Sequence, residues 1–269
     1  MKSKFLKKLR GTLPHRSFKI LLIGETCRDV YHFGRTARLS PEGPVPIFIP
    51  SKTIDKSGMA SNVYENICAL GHDVTFLSNE EQIIKERYVD DRFNAHVLRV
   101  DRNENVEALT KSKIPKNLET FDCLLISDYC KGFLSEDICS FLTKKFNGPV
   151  FIDTKRKDLS CFKRGIIKIN EDESKEIYNL PEECDLIITL GKRGAKFKDE
   201  KFESFEADVF DVCGAGDVFL SGLASCYLST KDLDFSILFA NLCASISVRT
   251  MGNHCLSYEE IYNAIKLYE

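Results

Sequence analysis

Short apolar runs alternate with amphipathic segments along most of this chain. The first run, residues 18–24, is almost entirely apolar and ends in glycine, which is typical of a strand buried on both faces. Residues 60–70 have helical apolar spacing and stop before Gly71, a residue type that commonly follows a helix. Further strands are predicted at 73–78, 82–88, 95–100, 121–127, 149–153, 166–169 and 185–190, and further helices at 135–146, 215–228, 233–248 and 258–268. This alternation predicts an α/β fold with a mostly parallel, doubly wound sheet.

Two segments depart from this rhythm. Residues 31–50 contain four prolines and short β-like pieces, which predicts a small β lid over the carboxyl edge of the sheet. Residues 1–17 carry six basic residues and no acidic residue, with too little apolar content for a signal peptide. We interpret them as a solvated basic leader, with contact to an acidic surface or RNA as the alternative. The remaining residues, 18–269, are expected to form one α/β domain.

Composition excludes several classes of protein. The net charge is −2, which gives no overall signal for a nucleic-acid partner, and no apolar run approaches the ~20 residues of a membrane span. The eleven cysteines are odd in number and contain no C-x-x-C pair, so we expect free thiols in a reducing cytoplasm. The five histidines show no paired spacing with the cysteines, which argues against a zinc site.

Residues 210–219 carry the clearest chemical signal. Two glycines and an alanine stand between two aspartates, immediately before an apolar run that predicts a helix. Gly214, Ala215 and Gly216 therefore lie at a helix N-terminus, where unpaired N–H groups and the helix dipole attract an anion. Asp217 places a carboxylate beside that site. This pairing suits phosphoryl transfer to a hydroxyl, because the amides hold the phosphoryl charge and the carboxylate takes the proton. The alternative is a glycine-rich helix start in which Asp217 only complements the dipole.

Residues 211–217 resemble the D-T-x-G-A-G-D signature of the ribokinase-like (pfkB) sugar kinases, with Cys213 where many relatives carry threonine. The resemblance implies a ribokinase-like fold, with ATP and Mg²⁺ as cofactors. It also implies that Gly214, Ala215 and Gly216 form the anion hole and that Asp217 is the catalytic base.

The segments 24–31 and 38–46 resemble one branch of that family, the D-glycero-β-D-manno-heptose-7-phosphate kinases. That branch has the patterns G-D-x-x-x-D-x-Y and S-R-I-S-P-E-A-P-V-P. Residues 57–63, 84–88, 98–102, 127–132 and 153–155 are similar to further motifs of the branch or the family. The implied substrate-binding residues are Asp29, Arg38, Gly58, Asn62, Arg99, Asp128 and Lys155.

A second group of matches concerns the nucleotide. Residues 170–173 fit N-x-x-E, whose glutamate helps to organise Mg²⁺ through water, and residues 189–194 resemble a T-x-G-x-x-G turn beside the nucleotide. The resemblance implies nucleotide binding by Asn170, Glu173, Thr189, Gly191, Gly194 and Asn241, with Glu173 toward the metal. Without the resemblance, these residues would suggest only a helix start and an ordinary helical asparagine.

The chain departs from this branch in two places. Met59 replaces the second glycine of G-G-A-x-N-V, which changes one corner of the expected sugar site. Residues 79–82 form a short connection where relatives have a further βα unit. We expect the core to tolerate that omission if the unit lies at an edge of the sheet.

We therefore predict an ATP-dependent kinase that phosphorylates a heptose 7-phosphate at its anomeric hydroxyl, giving the 1,7-bisphosphate. A kinase for another sugar or a nucleoside, and a non-catalytic ligand-binding member of the family, stay open as alternatives. The expected location is cytoplasmic, without nucleic-acid or membrane partners. The resemblance also implies a homodimer built through the lid. The nucleotidyltransferase domain fused to some heptose kinases has no counterpart here, which implies a separate downstream nucleotidyltransferase.

Overall fold

The computed structural model describes residues 2–10, 16–250 and 252–268. The strands are β1 (Lys19–Gly24), β2 (Thr26–Leu39), β3 (Pro46–Met59), β4 (Asp73–Leu77), β5 (Ile83–Asp90), β6 (Ala95–Arg102), β7 (Cys123–Asp128), β8 (Val150–Thr154), β9 (Gly165–Asn170), β10 (Cys184–Thr189), β11 (Ala195–Phe197) and β12 (Glu200–Phe202). The helices are α1 (Lys2–Arg10), α2 (Ala60–Ala69), α3 (Glu136–Lys145), α4 (Glu171–Ser174), α5 (Ala215–Thr230), α6 (Leu233–Ser247) and α7 (Tyr258–Tyr268). Short 3₁₀ turns occupy Lys111–Lys113, Leu118–Thr120 and Gly191–Arg193.

The larger sheet has the strand order β12-β11-β10-β9-β8-β7-β1-β4. Pairing is parallel from β10 to β4, whereas β11 pairs in the antiparallel sense with both β10 and β12. Alternate residues of β1 explain the helix layers on both faces. Ile20 and Leu22 join the core beneath α2, α5 and α6, whereas Leu21 and Ile23 join the core beneath α3. The predicted mostly parallel, doubly wound sheet is confirmed.

The lid is larger than the predicted 31–50. It is a second sheet with the order β3-β2-β5-β6, in which β2 and β3 each have 14 residues and β2 pairs in parallel with β5. The prediction fell short because β3 is mostly exposed and polar over 50–56, so it lacks the apolar alternation that marks a strand. Main-chain pairing with β2, and not burial, fixes this segment.

The expectation of a solvated leader is wrong for residues 2–10. These residues form α1, in which Phe5, Leu6 and Leu9 are 4%, 1% and 0% exposed and belong to the main core. The ring of Phe5 packs 4.8 Å from that of Phe235, centroid to centroid. The basic residues obscured this apolar stripe in the sequence. The part of the leader at 11–15 lies outside the described residues.

The short connection after β4 leaves from an edge of the larger sheet, because β4 is the last strand in the order. Asn79 anchors this connection: its Oδ1 accepts a hydrogen bond from the Thr26 N–H at 2.7 Å. Its Nδ2 donates to the Glu81 carbonyl at 2.6 Å. The sheet is therefore continuous as far as this edge, as expected for a βα unit omitted there.

Two further observations concern the whole of the described chain. None of the helices in these residues has both the length and the apolar content that crossing a membrane requires. Within the same ranges the cysteines are free thiols, and no group of three or more metal-ligating side chains is found.

Candidate active site

The turn before α5 is shaped by close contacts that exclude side chains. Gly214 has a left-handed backbone (φ 73°), which a glycine adopts without strain. A Cβ atom at Gly214 would lie 2.5 Å from Asn62 Nδ2 and 2.6 Å from Asn253 Oδ1. A Cβ atom at Gly216 would lie 2.7 Å from Lys168 Nζ. The backbone of the turn therefore lies against polar side chains at the N-terminus of α5, the part of a helix where an anion site forms.

Asp217 lies in the first turn of α5 and is 5% exposed. Its Oδ2 accepts a hydrogen bond from Asn62 Nδ2 at 3.0 Å, and its Oδ1 accepts one from the Tyr129 hydroxyl at 2.9 Å. Burial and the charge of Asp153 raise the pKa of Asp217 to about 6, although hydrogen bonds from Asn62 and Tyr129 and the charge of Lys168 oppose this. A fixed carboxylate whose pKa lies near neutrality is suited to general-base chemistry.

A buried ion pair lies beneath the turn. Lys168 of β9 places its Nζ 2.6 Å from Asp153 Oδ2 of β8, and both side chains are 4% exposed. The other oxygen of Asp153, Oδ1, is buried and has no hydrogen-bond partner among the described residues, with Lys155 Nζ 3.8 Å away. Lys155 binds Glu173 Oε1 at 2.5 Å, so cations and carboxylates alternate along this floor.

These groups line a cavity of about 800 Å³ that extends from Asp217 and the glycine turn across the carboxyl ends of β8, β9 and β10. Ligands of open α/β sheets bind at this edge. Of the residues predicted to bind the nucleotide, the cavity is lined by Asn170, Thr189, Gly191, Gly194 and Asn241. The Nδ2 of Asn241 donates to the Phe202 carbonyl at 2.9 Å, which fixes this asparagine at the far wall.

Glu173 lies beside this cavity and closes the N-terminus of α4. Its Oε2 accepts from the Asn170 N–H at 2.8 Å, and the Asn170 side chain accepts from the Glu173 N–H at 2.8 Å, which is a capping box. Lys155, predicted to bind substrate, lines the cavity and bonds to Glu173. The cap orients the carboxylate toward the lysine.

The predicted sugar site brings Asp29, Gly58 and Asn62 together. Asp29 on β2 is 3% exposed and forms an ion pair with Arg87 of β5. A Cβ atom at Gly58 would lie 2.1 Å from Asp29 Oδ2, so β3 can pass here only as glycine. Asn253 donates to Asp29 Oδ2 at 3.3 Å and also borders Gly214, so it connects this corner to the turn.

Three predicted substrate residues are not part of this arrangement. Arg38 is exposed near the outer end of β2, and Arg99 is exposed on β6 with two 2.7 Å hydrogen bonds to Asp101. Asp128 is buried and accepts hydrogen bonds from the Cys130 N–H, the Thr154 hydroxyl and Arg156 Nε. Both of its oxygens are bonded within the protein, and substrate binding by Asp128 stays a prediction.

Sequence reasoning missed several residues that complete the site. They are Tyr129, Asp153, Lys168 and Asn253. Tyr129 and Asp153 lie inside the segments 127–132 and 153–155, and the resemblance of these segments to family motifs implies no role for either residue. The available signal for Lys168 was a charged residue inside an otherwise apolar strand. Asn253 gave no local signal, because only the tertiary fold brings it to β2.

Comparison with known proteins agrees with this geometry. The family model described as "pfkB family carbohydrate kinase" matches residues 99–257. "Bifunctional protein HldE" of Campylobacter curvus is 29% identical over 93% of this chain and 66% of its own length. The protein of the same name from Nitratiruptor sp. is 30% identical over 90% of this chain and 64% of its own length. The chain thus spans just under two thirds of these relatives.

Solved structures share the fold. Ribokinase from Thermotoga maritima has a TM-score of 0.70 at 18% identity and covers 93% of this chain and 99% of its own. Phosphofructokinase-2 from Escherichia coli has a TM-score of 0.71 at 13% identity, with the same coverage of both chains. With a ribokinase-like fold, a turn at 211–217 that resembles the family signature and a family match over more than half its length, the chain belongs to the pfkB family of carbohydrate kinases.

Proposed function

We propose that this kinase transfers the γ-phosphoryl group of ATP to the anomeric hydroxyl of a heptose 7-phosphate. The observation that carries phosphoryl transfer is Asp217, which two hydrogen bonds hold beside the Gly214–Gly216 turn at one end of a large cavity. The choice of heptose phosphate is supported by the resemblance of residues 24–31 and 38–46 to heptose-7-phosphate kinases. The similarity to the bifunctional HldE relatives supports the same choice.

The oxygen of the sugar hydroxyl bonds to the γ-phosphorus, and the bond from the γ-phosphorus to the bridging oxygen of the leaving ADP breaks. Asp217 receives the proton of that hydroxyl in this step. Asn62 and Tyr129 keep both carboxylate oxygens in place during this step. The transition state is loose, so a carboxylate with a pKa of about 6 is basic enough for a late proton transfer. The first-turn N–H groups of α5 stabilise the charge on the phosphoryl oxygens.

On the lid side, Asp29 would accept hydrogen bonds from the sugar hydroxyls. Its ion pair with Arg87 orients the carboxylate in a buried position. Gly58 leaves room for the sugar ring to approach the backbone of β3, because any side chain at this position would collide with the carboxylate of Asp29.

The floor of the cavity fits the Mg²⁺ ion that accompanies ATP. Carboxylate oxygens are preferred Mg²⁺ ligands, and Asp153 presents a buried Oδ1 that lacks a hydrogen-bond partner within the described ranges. Glu173 lies beside it across Lys155. These two carboxylates would hold the ion through its water shell, and the bound ion would neutralise charge on the phosphate oxygens.

A kinase for a different sugar is the second candidate, and Met59 favours it. This buried residue has φ 59° and ψ −133°, a conformation that suits glycine. Its side chain clusters with Cys27 and Ile83 against Tyr129, next to the proposed base. A bulkier corner would change which sugar fits.

ATP consumption with Mg²⁺, measured across heptose 7-phosphates, hexose phosphates, free sugars and nucleosides, tests the proposal. We expect turnover with a heptose 7-phosphate and its loss in Asp217→Asn, with ATP binding retained. Asp199→Asn, at the exposed turn between β11 and β12, is the matched control and should keep full activity. Turnover confined to another sugar would support the second candidate, and full activity of Asp217→Asn would refute the assigned base.

The proposal extends to partners of the enzyme. A sugar 1-phosphate product calls for a nucleotidyltransferase to activate it. The lid exposes the apolar side chains Leu39, Val45, Ile49 and Leu98, which favours a homodimer formed through the lid. Sedimentation analysis of the unaltered protein and of Leu39→Glu tests that contact. We expect a dimer for the unaltered protein and a monomer for the variant, and the same mass for the two proteins would contradict the contact.

A further inference from the structure

Lys168 is a buried cation at the floor of the nucleotide cavity. It occupies the interior of β9, its side chain is 4% exposed, and it lines the cavity together with Asp153 and Gly216. A buried ammonium is costly unless it is paired, and the carboxylate of Asp153 at 2.6 Å supplies that pairing. An ammonium has three N–H donors, and the bond to Asp153 uses one.

The position of the ammonium relative to the turn identifies a second partner. A Cβ atom at Gly216 would lie only 2.7 Å from Lys168 Nζ, so the ammonium rests against the backbone of the turn. An anion bound by the first-turn N–H groups of α5 would therefore meet this ammonium as well. The transferred phosphoryl group is the anion that must pass between this turn and Asp217.

We propose that Lys168 is a further catalytic residue, whose ammonium contacts the phosphoryl group in flight at the Gly214–Gly216 turn. This inference rests on the proposed ATP-dependent phosphoryl transfer and not on the identity of the sugar. Lys168 acts as a point charge, while Asp217 takes the hydroxyl proton. Asp153 holds the ammonium in place before ATP binds.

The location of the pair favours this role over a purely structural one. An ion pair that only stabilises the fold gains nothing from facing a cavity, and apolar replacements of similar volume are often as stable. Lys168 and Asp153 instead face the cavity, beside a turn that has no side chain between the ammonium and the anion site.

Nucleotide binding by Lys168→Met tests the proposal, because methionine keeps the length of the side chain and removes its charge. Calorimetric titration with Mg·ATP and with Mg·ADP should show ATP affinity falling ~10-fold or more, with ADP affinity unchanged within about twofold. Turnover should fall ~10²- to 10³-fold. Lys196→Met, which removes an exposed charge on β11 outside the cavity, is the control and should match the unaltered protein. Equal losses for ATP and ADP, or no loss, would overturn the proposal.

The double variant Lys168→Met/Asp153→Asn addresses the risk that an unpaired Asp153 unfolds the protein, since it leaves no buried charge in the pair. Its affinities are compared with those of Asp153→Asn alone, which keeps the lysine. We expect the double variant to bind ATP more weakly than Asp153→Asn and to bind ADP equally well. Equal ATP affinity in the two would mean that Lys168 only neutralises Asp153.

The outcomes separate this inference from the sugar assignment. Selective loss of ATP affinity supports the role of Lys168 even if no heptose phosphate is phosphorylated, in which case only the proposed substrate fails. Failure of the unaltered protein to bind ATP would overturn both proposals.

Discussion

Removing the hydroxyl of Tyr129 should lower kcat/KM at neutral pH and leave it unchanged at alkaline pH. The hydroxyl donates to Asp217 Oδ1 at 2.9 Å and lowers the pKa of this carboxyl, which burial nevertheless raises to about 6. A hydrogen bond to a charged group contributes about 1.5–3 kcal/mol, and one pKa unit corresponds to about 1.4 kcal/mol. Tyr129→Phe keeps the ring and should therefore raise the pKa of Asp217 by about one to two units.

The consequence for catalysis follows from the fraction of ionised base. With a pKa of about 6, Asp217 is ~90% ionised at pH 7, whereas in Tyr129→Phe the fraction falls to between ~50% and ~10%. The value of kcat/KM at pH 7 should drop about two- to ninefold, and the drop should vanish by about pH 9. Profiles of kcat/KM against pH for both proteins, with the same sugar substrate, measure this because substrate ionisation cancels in their ratio.

Tyr178→Phe provides the matched control, because this tyrosine is exposed and does not line the cavity. Its profile should superimpose on that of the unaltered protein. A loss in Tyr129→Phe that is equally large at every pH would mean that the hydroxyl acts otherwise than through the ionisation of Asp217. An unchanged profile would mean that Asp217 is not the titrating base, and the reasoning would fail.

Three other changes test separate parts of the structure. Asp217→Asn should abolish turnover yet raise the free energy of unfolding by up to ~3 kcal/mol at pH 7. The reason is that the pKa of Asp217 is about 6 in the folded state against an ordinary 3.8, so ionisation of this carboxyl destabilises the fold as pH rises. Urea titrations should show the gain in stability at pH 7 and little of it near pH 4. Gly58→Ala should raise the KM for the sugar at least ~10-fold, because the new Cβ atom would lie 2.1 Å from Asp29 Oδ2. Gly43→Ala is its control and should leave this KM unchanged, since no atom lies within 4 Å of a Cβ atom at that position. Leu9→Ala should lower the free energy of unfolding by ~2–4 kcal/mol, whereas Lys7→Ala, at an exposed position of the same helix, should not. Equal effects of the two variants in urea titrations would contradict the packing of α1 against the core.

The sequence predicted the core of the fold because buried parallel strands are near-continuous apolar runs. Strands β1 and β7 begin and end within about two residues of their predicted bounds for this reason. The turn before α5 was equally predictable, since Gly214 and Gly216 are required by local backbone geometry and close packing.

Elements that depend on distant partners could not be predicted in the same way. The strand β3 is held by pairing with β2 and not by an apolar face, so no local pattern marked its full length. The ion pair of Lys168 with Asp153 joins two strands, and no local pattern around either residue predicts its partner. The motif around Asp128 likewise does not reveal that Arg156 and Thr154 donate hydrogen bonds to its carboxylate.

The site is divided between two separately hydrogen-bonded sheets, and this division bears on the choice between sugar and water as acceptor. Asp217 and the glycine turn belong to the larger sheet and its helices, and they would serve an attacking water molecule as well as a hydroxyl. Asp29 and Arg87 belong to the lid, and only a sugar would use them. With the proposed roles of these residues, the lid would restrain futile hydrolysis of ATP, and damage confined to β2 or β5 should uncouple nucleotide consumption from sugar phosphorylation without impairing the base.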